Sequence, residues 1–123
     1  MSHTPYGYHG RYLRIDLSSR EFRSVPIPPE VLRRFIGGSG LGTWLLLEET
    51  SDNEDALGPK APLAFVFSPL VGSPLTTSAK FAVMAKSPLT GRLNDSLSSS
   101  TFAIAGKKTG HDAILVVGAA DSA

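Results

Sequence analysis

The chain has 123 residues, of which 12 are Lys or Arg and 11 are Asp or Glu, so its formal net charge is only +1. This balance argues against a dedicated nucleic-acid-binding protein and against a polybasic membrane module. Hydrophobic residues make up 41% of the chain and charged residues 19%, which is ordinary globular usage and predicts a folded protein. The length predicts a single domain over residues 1–123, or an incomplete part of one.

The chain contains no cysteine. This excludes disulfides, thiolate catalysis, a cysteine-bound zinc and an iron–sulfur cluster held by these residues. The first residues lack the basic start and apolar stretch of a signal peptide. No run approaches the roughly 20 apolar residues that span a bilayer. We therefore expect a cytoplasmic protein without membrane contact.

In the first half of the chain, alternation of apolar and polar side chains predicts a strand over residues 12–17. A second strand over residues 21–25 would pair with it as a β-hairpin. Pro29 suits the first turn of a helix that Gly37 and Gly38 would end. A second helix is predicted over residues 41–49, and its apolar composition indicates that it is mostly buried.

In the second half, the apolar run at residues 63–67 predicts a strand covered on both faces. Further strands are predicted over residues 80–85, 92–97 and 114–117, with a turn at residues 87–91. The serines at 98–100 are N-cap candidates for a short helix over residues 101–107. The predicted fold class is α+β, with antiparallel or mixed β-sheets and two or three short helices.

Motifs with known chemistry are incomplete in this sequence. The glycine run at residues 37–42 lacks the G-x-G-x-x-G spacing and follows a helix, which favours a helix–helix turn over dinucleotide binding. The GKKT segment at 106–109 lacks the upstream glycine of a phosphate-binding loop, which favours a solvated helix end. The three histidines have no metal-ligand spacing, and the serines at 98–100 have no evident general base. We assign no catalytic residue and no metal ligand.

The basic residues of the second half leave two interpretations open. Cations among hydroxyl-rich turns and a helix N-terminus would suit a phosphate-bearing cofactor. They would equally suit an ordinary charged surface. The residues concerned are Lys80, Lys86, Arg92, Lys107 and Lys108.

Several ordered segments together resemble the N-terminal domain of the aldehyde:ferredoxin oxidoreductase family of tungsten–pterin enzymes. The resemblance extends from about residue 6 to the C-terminus. The segments are GRYLRIDLS at 10–18, GGSGL at 37–41 with LLL at 45–47, FSPLVG at 67–72, KSPLTG at 86–91 and TGHDAI at 109–114.

The resemblance implies a sheet-rich base for a bis-pterin cofactor of tungsten or molybdenum, with magnesium bridging the pterin phosphates. It also implies aldehyde oxidation to a carboxylic acid, with electrons passing through a [4Fe–4S] cluster to ferredoxin. The cluster ligands and acid/base residues of the family lie in later domains. The expected partners are therefore the remaining domains or a partner subunit, with ferredoxin reached only indirectly, and the 123-residue chain alone should not be catalytic.

The resemblance assigns cofactor binding to Lys80, Ser98 and Ser99. Lys80 stands where the family usually has Arg, so the charge is kept and the planar bidentate fork is lost. The family's Asn-Ser-Gly-Gly turn aligns with residues 97–100, where Leu97 replaces the Asn and serines replace the glycines. The alternative function is therefore a non-catalytic relic or assembly module that binds a partner without cofactor.

The sequence also predicts exposed apolar surface on the isolated chain. The last strand and the helix over residues 41–47 are apolar enough to require neighbours.

Overall fold

The computed structural model describes residues 3–122. Within them, six strands and three helices are present. The strands are β1 (Arg11–Asp16), β2 (Glu21–Pro26), β3 (Leu63–Phe67), β4 (Lys80–Lys86), β5 (Leu93–Ser99) and β6 (Ala113–Val117). The helices are α1 (Pro29–Arg34), α2 (Gly37–Glu49) and α3 (Thr101–Lys108).

The strands form a six-stranded sheet in the order β2-β1-β6-β3-β4-β5. Strands β1 and β6 run parallel, whereas the other neighbouring pairs are antiparallel. This mixed sheet with its three helices confirms the predicted α+β fold class and both predicted hairpins, β1–β2 and β4–β5. The last strand, β6, lies inside the sheet with β1 and β3 on either side, so both of its edges are paired, while Ile114 and Val116 on one face are only half-buried.

One side of the sheet, here called the helix face, is covered by α1 and α2 and carries the main hydrophobic core. Its strand residues are almost completely buried, and Leu32, Leu41 and Leu45 of the helices pack over them. Burial of this apolar area is the main favourable term in folding. The buried helix-face residues of the strands are Tyr12, Ala64, Val66, Ala82, Met84, Ala113, Leu115 and Val117.

Helix α2 begins four residues before its predicted start, at Gly37. Gly37 and Gly38 have φ values of 38° and 47°, which residues with a Cβ rarely adopt, so the chain reverses sharply here and continues as helix. The helix is buried on one side only. Leu46 is 1% exposed and the adjacent Leu47 is 67% exposed, so the prediction of a mostly buried helix was too broad.

The opposite side of the sheet, here called the open face, is covered only in part. Its central apolar residues are half-buried, and they are Leu13, Ile15, Phe65, Val83, Ile114 and Val116. Helix α3 packs against one end of this face, where a Cβ on Gly106 would overlap the ring of Phe67. The prediction that residues 63–67 are covered on both faces therefore holds for the helix face and, on the open face, for Phe67 alone.

A buried ion pair joins α3, β6 and the segment before β1. The carboxylate of Asp112, which is fully buried, accepts hydrogen bonds from the backbone N–H groups of His9 at 2.9 Å and Gly10 at 2.7 Å. Lys107 Nζ donates to the same carboxylate at 3.1 Å. Lys107 is 8% exposed, so the predicted solvated helix end at residues 106–109 is wrong.

A second polar contact fixes the C-terminal end of α2 to β1. Tyr12 Oη donates to Glu49 Oε1 at 2.6 Å, and Arg14 Nε donates to Glu49 Oε2 at 3.1 Å. Burial and the neighbouring Glu49 carboxylate raise the pKa of Tyr12 far above its usual range, so its hydroxyl remains a donor.

No helix among residues 3–122 combines the length and the apolar composition that crossing a membrane requires.

We predict that Asp112→Asn lowers the free energy of unfolding by about 3–5 kcal/mol, because it leaves Lys107 buried without a counter-charge. Urea denaturation of the chain measures this change. Asp121→Asn is the matched control, since Asp121 is exposed and lies 4.0 Å from Arg20; it should cost less than about 0.5 kcal/mol. Equal midpoints for the two variants would contradict the role given to Asp112.

Candidate cofactor-binding surface

Two of the three residues assigned to cofactor binding lie next to each other. Lys80 begins β4 and Ser99 ends β5, and the two residues are opposite each other in the antiparallel register. Lys80 Nζ donates to Ser99 Oγ at 3.0 Å. Both side chains lie on the helix-face side and are exposed, so the ammonium group is accessible to an anion.

The third residue, Ser98, is on the other side of the sheet. It pairs with Phe81, and successive side chains of a strand point to opposite faces, so Ser98 projects on the open-face side. Ser100 is the N-cap of α3, where its Oγ accepts from the Phe102 N–H at 3.1 Å. The serines at 98–100 therefore have three different environments, and only Ser100 is a cap.

The N-terminal end of α2 lies beside Leu97 of β5, the strand that carries Ser99. Residues 36–40 at this end form a shallow cavity of about 580 Å³ together with residues 68–70 and Leu97. Leu97 is 70% exposed and lies two residues before Ser99, on the same side of β5. The cavity and the Lys80 ammonium therefore belong to one continuous surface, here called the platform: residues 36–40, 68–70, Lys80, Leu97 and Ser99.

The electrostatics of the platform favour an anion. Ile36, which precedes α2, has no side-chain acceptor, and the first turn contains no acidic residue, although Gly38 (φ 47°, ψ −131°) kinks the backbone within that turn. Helix N-termini carry a partial positive charge and present N–H groups outward. A Cβ added at Gly38 would meet nothing within 4 Å, so the backbone here is open to a ligand. The platform therefore offers an anion two kinds of donor, the Lys80 ammonium and backbone N–H groups at the start of α2.

An acidic side chain borders the same surface. Ser39 Oγ donates to Asp95 Oδ2 at 2.7 Å, which joins the start of α2 to β5. This hydrogen bond fixes the position of the helix terminus relative to the strand that carries Leu97 and Ser99.

A family model described as "Aldehyde ferredoxin oxidoreductase, N-terminal domain" matches residues 12–123. This chain belongs to the aldehyde ferredoxin oxidoreductase family.

The relatives found in the family are much longer than this chain. The chain is 34% identical to the tungsten-containing aldehyde ferredoxin oxidoreductase of Pyrococcus furiosus over 94% of its own residues and 19% of that protein. It is 36% identical to the protein of the same name from Thermococcus kodakarensis, over 92% of this chain and 19% of the relative. The chain therefore spans about a fifth of the length of these relatives.

A solved structure shows the same fold. The active-site complex BamBC of benzoyl coenzyme A reductase, in complex with 1,5-dienoyl-CoA, matches with a TM-score of 0.89 and 25% sequence identity. The match covers 95% of this chain and 18% of that chain. The fold of the aldehyde ferredoxin oxidoreductase N-terminal domain is thus present over nearly all of these residues.

In this family member, the N-terminal segment supports the platform through Tyr8. Tyr8 Oη accepts a hydrogen bond from the Gly37 N–H at 3.0 Å, at the start of α2. The Lys107 ammonium lies 5.3 Å from the centroid of the Tyr8 ring, within cation–π range. The Asp112–Lys107 pair therefore positions Tyr8, and Tyr8 positions the helix terminus. This role of Lys107 was not predicted from the sequence, since its second acceptor, the Ser68 carbonyl, and the N–H groups of His9 and Gly10 that bind Asp112 come from distant parts of the chain.

The five basic residues of the second half do not form one patch. Lys80 and Lys86 are at opposite ends of β4, a separation of about 20 Å at strand spacing. Lys86 Nζ donates to the backbone carbonyl of Glu54 at 2.7 Å, and Lys107 is paired with Asp112. Lys80 is thus the residue of this set that lies on the platform. Across residues 3–122 there is no cluster of three or more His, Cys, Asp or Glu side chains that could hold a metal ion.

A separate polar cluster joins β2 to the turn between α3 and β6. Thr109 Oγ1 donates its only hydrogen to the Gly106 carbonyl at 2.6 Å, so towards His111 Nδ1, at 3.3 Å, it acts as an acceptor. His111 Nδ1 therefore carries the proton, and Nε2 accepts from Ser24 Oγ at 2.6 Å. Burial, reinforced by the nearby Arg11, lowers the pKa of His111 below its usual 6.5. The ring is neutral and structural.

This depressed pKa predicts a specific dependence of stability on pH. Below pH 6.5 the unfolded chain takes up a proton at this histidine before the folded chain does, so the free energy of unfolding should fall as the pH drops from 7 to 5. His111→Gln should reduce that fall, whereas His3→Gln, at an exposed histidine, should leave it unchanged. Urea midpoints at both pH values measure the difference. The same pH dependence in the His111 variant as in the wild type would contradict the assignment.

Proposed function

We propose that this chain is the cofactor-supporting N-terminal part of a tungsten- or molybdenum-pterin oxidoreductase. The proposed reaction is the oxidation of an aldehyde to a carboxylic acid, with ferredoxin as the electron acceptor. The observation that supports it is the platform, which combines an accessible Lys80 ammonium with the N-terminal end of α2, where the first turn carries no acidic residue. Membership of the family suggests which class of cofactor this anion-favouring surface would bind, namely a metal-pterin with phosphate groups.

The residues of the platform fit the phosphate end of such a cofactor. Lys80 would donate to a pterin phosphate, and the N–H groups at the start of α2 would add neutral donors. Ser99 holds the Lys80 ammonium at the edge of the sheet, so part of its position is set before a ligand arrives. Ser98, on the other side of β5, would contribute through its backbone.

Most of the chemistry would come from outside these residues. When bound, the pterin-held metal would supply the two-electron redox chemistry, and magnesium would accompany the pterin phosphates. The chain itself would bind and orient the cofactor, and the Tyr8 contact would keep the helix terminus in place. The [4Fe–4S] cluster, the acid/base groups and the contact with ferredoxin belong to remaining domains or a partner subunit. The 123-residue chain alone would be inactive, and the assembled enzyme would work in the cytoplasm.

A second candidate function rests on Leu97. Leu97 is apolar and 70% exposed, and it lies on the platform at the position where the resemblance places an asparagine of the family. The replacement of that asparagine removes an amide that could form hydrogen bonds to the cofactor. In this alternative the chain is a non-catalytic relic or assembly module that binds a partner protein and no cofactor.

We predict that Lys80→Ala lowers cofactor affinity in the assembled enzyme by about ten-fold or more, because a charge-assisted hydrogen bond to a phosphate contributes about 1.5 kcal/mol or more. Tungsten and molybdenum content per assembled enzyme, measured after dialysis, reports retention. The matched control is Lys108→Ala, which removes an exposed lysine outside the platform and should leave the metal content unchanged.

Metal content also separates the two candidate functions. Wild-type enzyme purified anaerobically with its natural partners should contain tungsten or molybdenum together with a pterin. Complete absence of both in the wild type would favour the relic. If the Lys80→Ala enzyme instead keeps its full metal content, the assignment of Lys80 to cofactor binding is wrong.

A further inference from the structure

The two faces of the sheet differ sharply in burial, although both are apolar at the centre. The central apolar helix-face residues of β3, β6 and β4 are at most 6% exposed, whereas Phe65, Val83, Ile114 and Val116 on the open face of the same strands are half-buried. Because the two sets of residues belong to the same strands, the lower burial of one set arises because fewer elements pack against the open face.

The half-buried residues of the open face form two adjacent rows across the sheet. In the first row Leu13 is opposite Ile114, which is opposite Phe65, which is opposite Val83. In the second row Ile15 is opposite Val116, and Val116 is opposite Leu63. Phe22 of the edge strand β2 is opposite Ile15 and extends this row with a ring that is 77% exposed. The rows therefore make one continuous apolar surface.

Helix α3 covers only one end of this surface. Phe102 packs edge-on against Phe81 at 5.0 Å and Phe65 at 5.8 Å between ring centroids, and its own ring is still 41% exposed. The helix has eight residues and leaves Ile15, Val116 and Phe22 uncovered by any helix of the described chain.

Such a face is costly in an isolated protein. Each square ångström of apolar surface left in water forgoes about 25 cal/mol. Contiguous exposed apolar patches with polar borders mark interaction surfaces. The border here is polar, because Asn94, Ser96 and Ser98 of β5 project on the same side.

We propose that the open face is buried in the assembled enzyme by the polypeptide that makes up the rest of its length, joined to this chain or supplied as a separate subunit. The lengths of the relatives and of the BamBC chain support the remaining polypeptide as the occupant of the open face. This chain accounts for only 19% and 18% of their respective lengths, so a much larger body of protein is available to cover the face. The occupant should present an uncharged apolar surface, since the two rows carry no charged side chain. The inference rests on that part of the proposed function in which the chain is one piece of a larger enzyme.

The absence of cysteine makes the face directly measurable by single-cysteine labelling. Phe22→Cys and Val83→Cys place one thiol each on the open face. Leu89→Cys is the control, in the turn between β4 and β5 and 92% exposed. Maleimide labelling rates are measured at each position by mass spectrometry in two samples. One sample is the 123-residue chain; the other is a chimera in which it replaces the matched segment of the Pyrococcus furiosus tungsten-containing aldehyde ferredoxin oxidoreductase.

The expected result is a drop of at least ten-fold in the labelling rate at Phe22 and Val83 on going from the chain to the chimera, with little change at Leu89. Equal rates in the two samples would overturn the proposal. Protection in the chain alone that disappears on dilution would also overturn it, since the occupant would then be a second copy.

If the chimera does not fold, the same thiols are measured in the chain co-expressed with the remaining part of that relative as a separate polypeptide. Failure to bind in this form as well counts against the proposal. The labelling does not depend on cofactor, so its outcome is independent of the metal content that tests Lys80.

Discussion

The contact on which the rest of the structure depends is the buried pair between Asp112 and Lys107. A fully buried carboxylate is unfavourable unless its oxygens are satisfied, and here a lysine and two backbone N–H groups satisfy them. These partners belong to the segment before β1 and to α3, while Asp112 itself lies next to β6. The segment before β1 is therefore held against the turn between α3 and β6, which lies 102 to 103 residues later in the chain.

A short series of contacts connects the Asp112–Lys107 pair to the platform. Lys107 lies over the ring of Tyr8, and the Tyr8 hydroxyl accepts from Gly37 at the start of α2. At its other end α2 is fixed to β1 through Glu49. Because both ends are held, the helix crosses the sheet in one orientation, with its positive terminus towards β5. The platform is thus a consequence of core packing and of the Asp112 pair, and the same contacts that stabilise the fold position the helix terminus.

Local patterns were sufficient to predict the elements but not their surroundings. The alternation in β1, the proline at the start of α1 and the turn after β4 are encoded within a few residues, and all were predicted correctly. The burial of Lys107 was not predictable in this way, because the partners of its counter-ion lie 102 and 103 residues away in His9 and Gly10. The faces of Ser98 and Ser99 likewise depend on the register of β5, which a run of three serines does not specify.

Strand β5 contributes side chains to both surfaces of the sheet, the platform on one side and the border of the open face on the other. It is an edge strand whose seven residues are all exposed. Edge strands that face only solvent usually carry charges, lysine in particular, or proline, which discourage pairing with other chains. Strand β5 carries one charged residue, Asp95, which is bonded to Ser39, and otherwise has exposed Leu97 beside the platform and hydroxyl or amide groups. This pattern is unusual for a free edge. It fits a strand that lies between two other bodies, with the proposed cofactor on the helix-face side and the rest of the enzyme against the open face. Since the side chains alternate, a one-residue shift in the β4–β5 register would exchange Ser99 for Ser98 beside Lys80 and disturb both surfaces together.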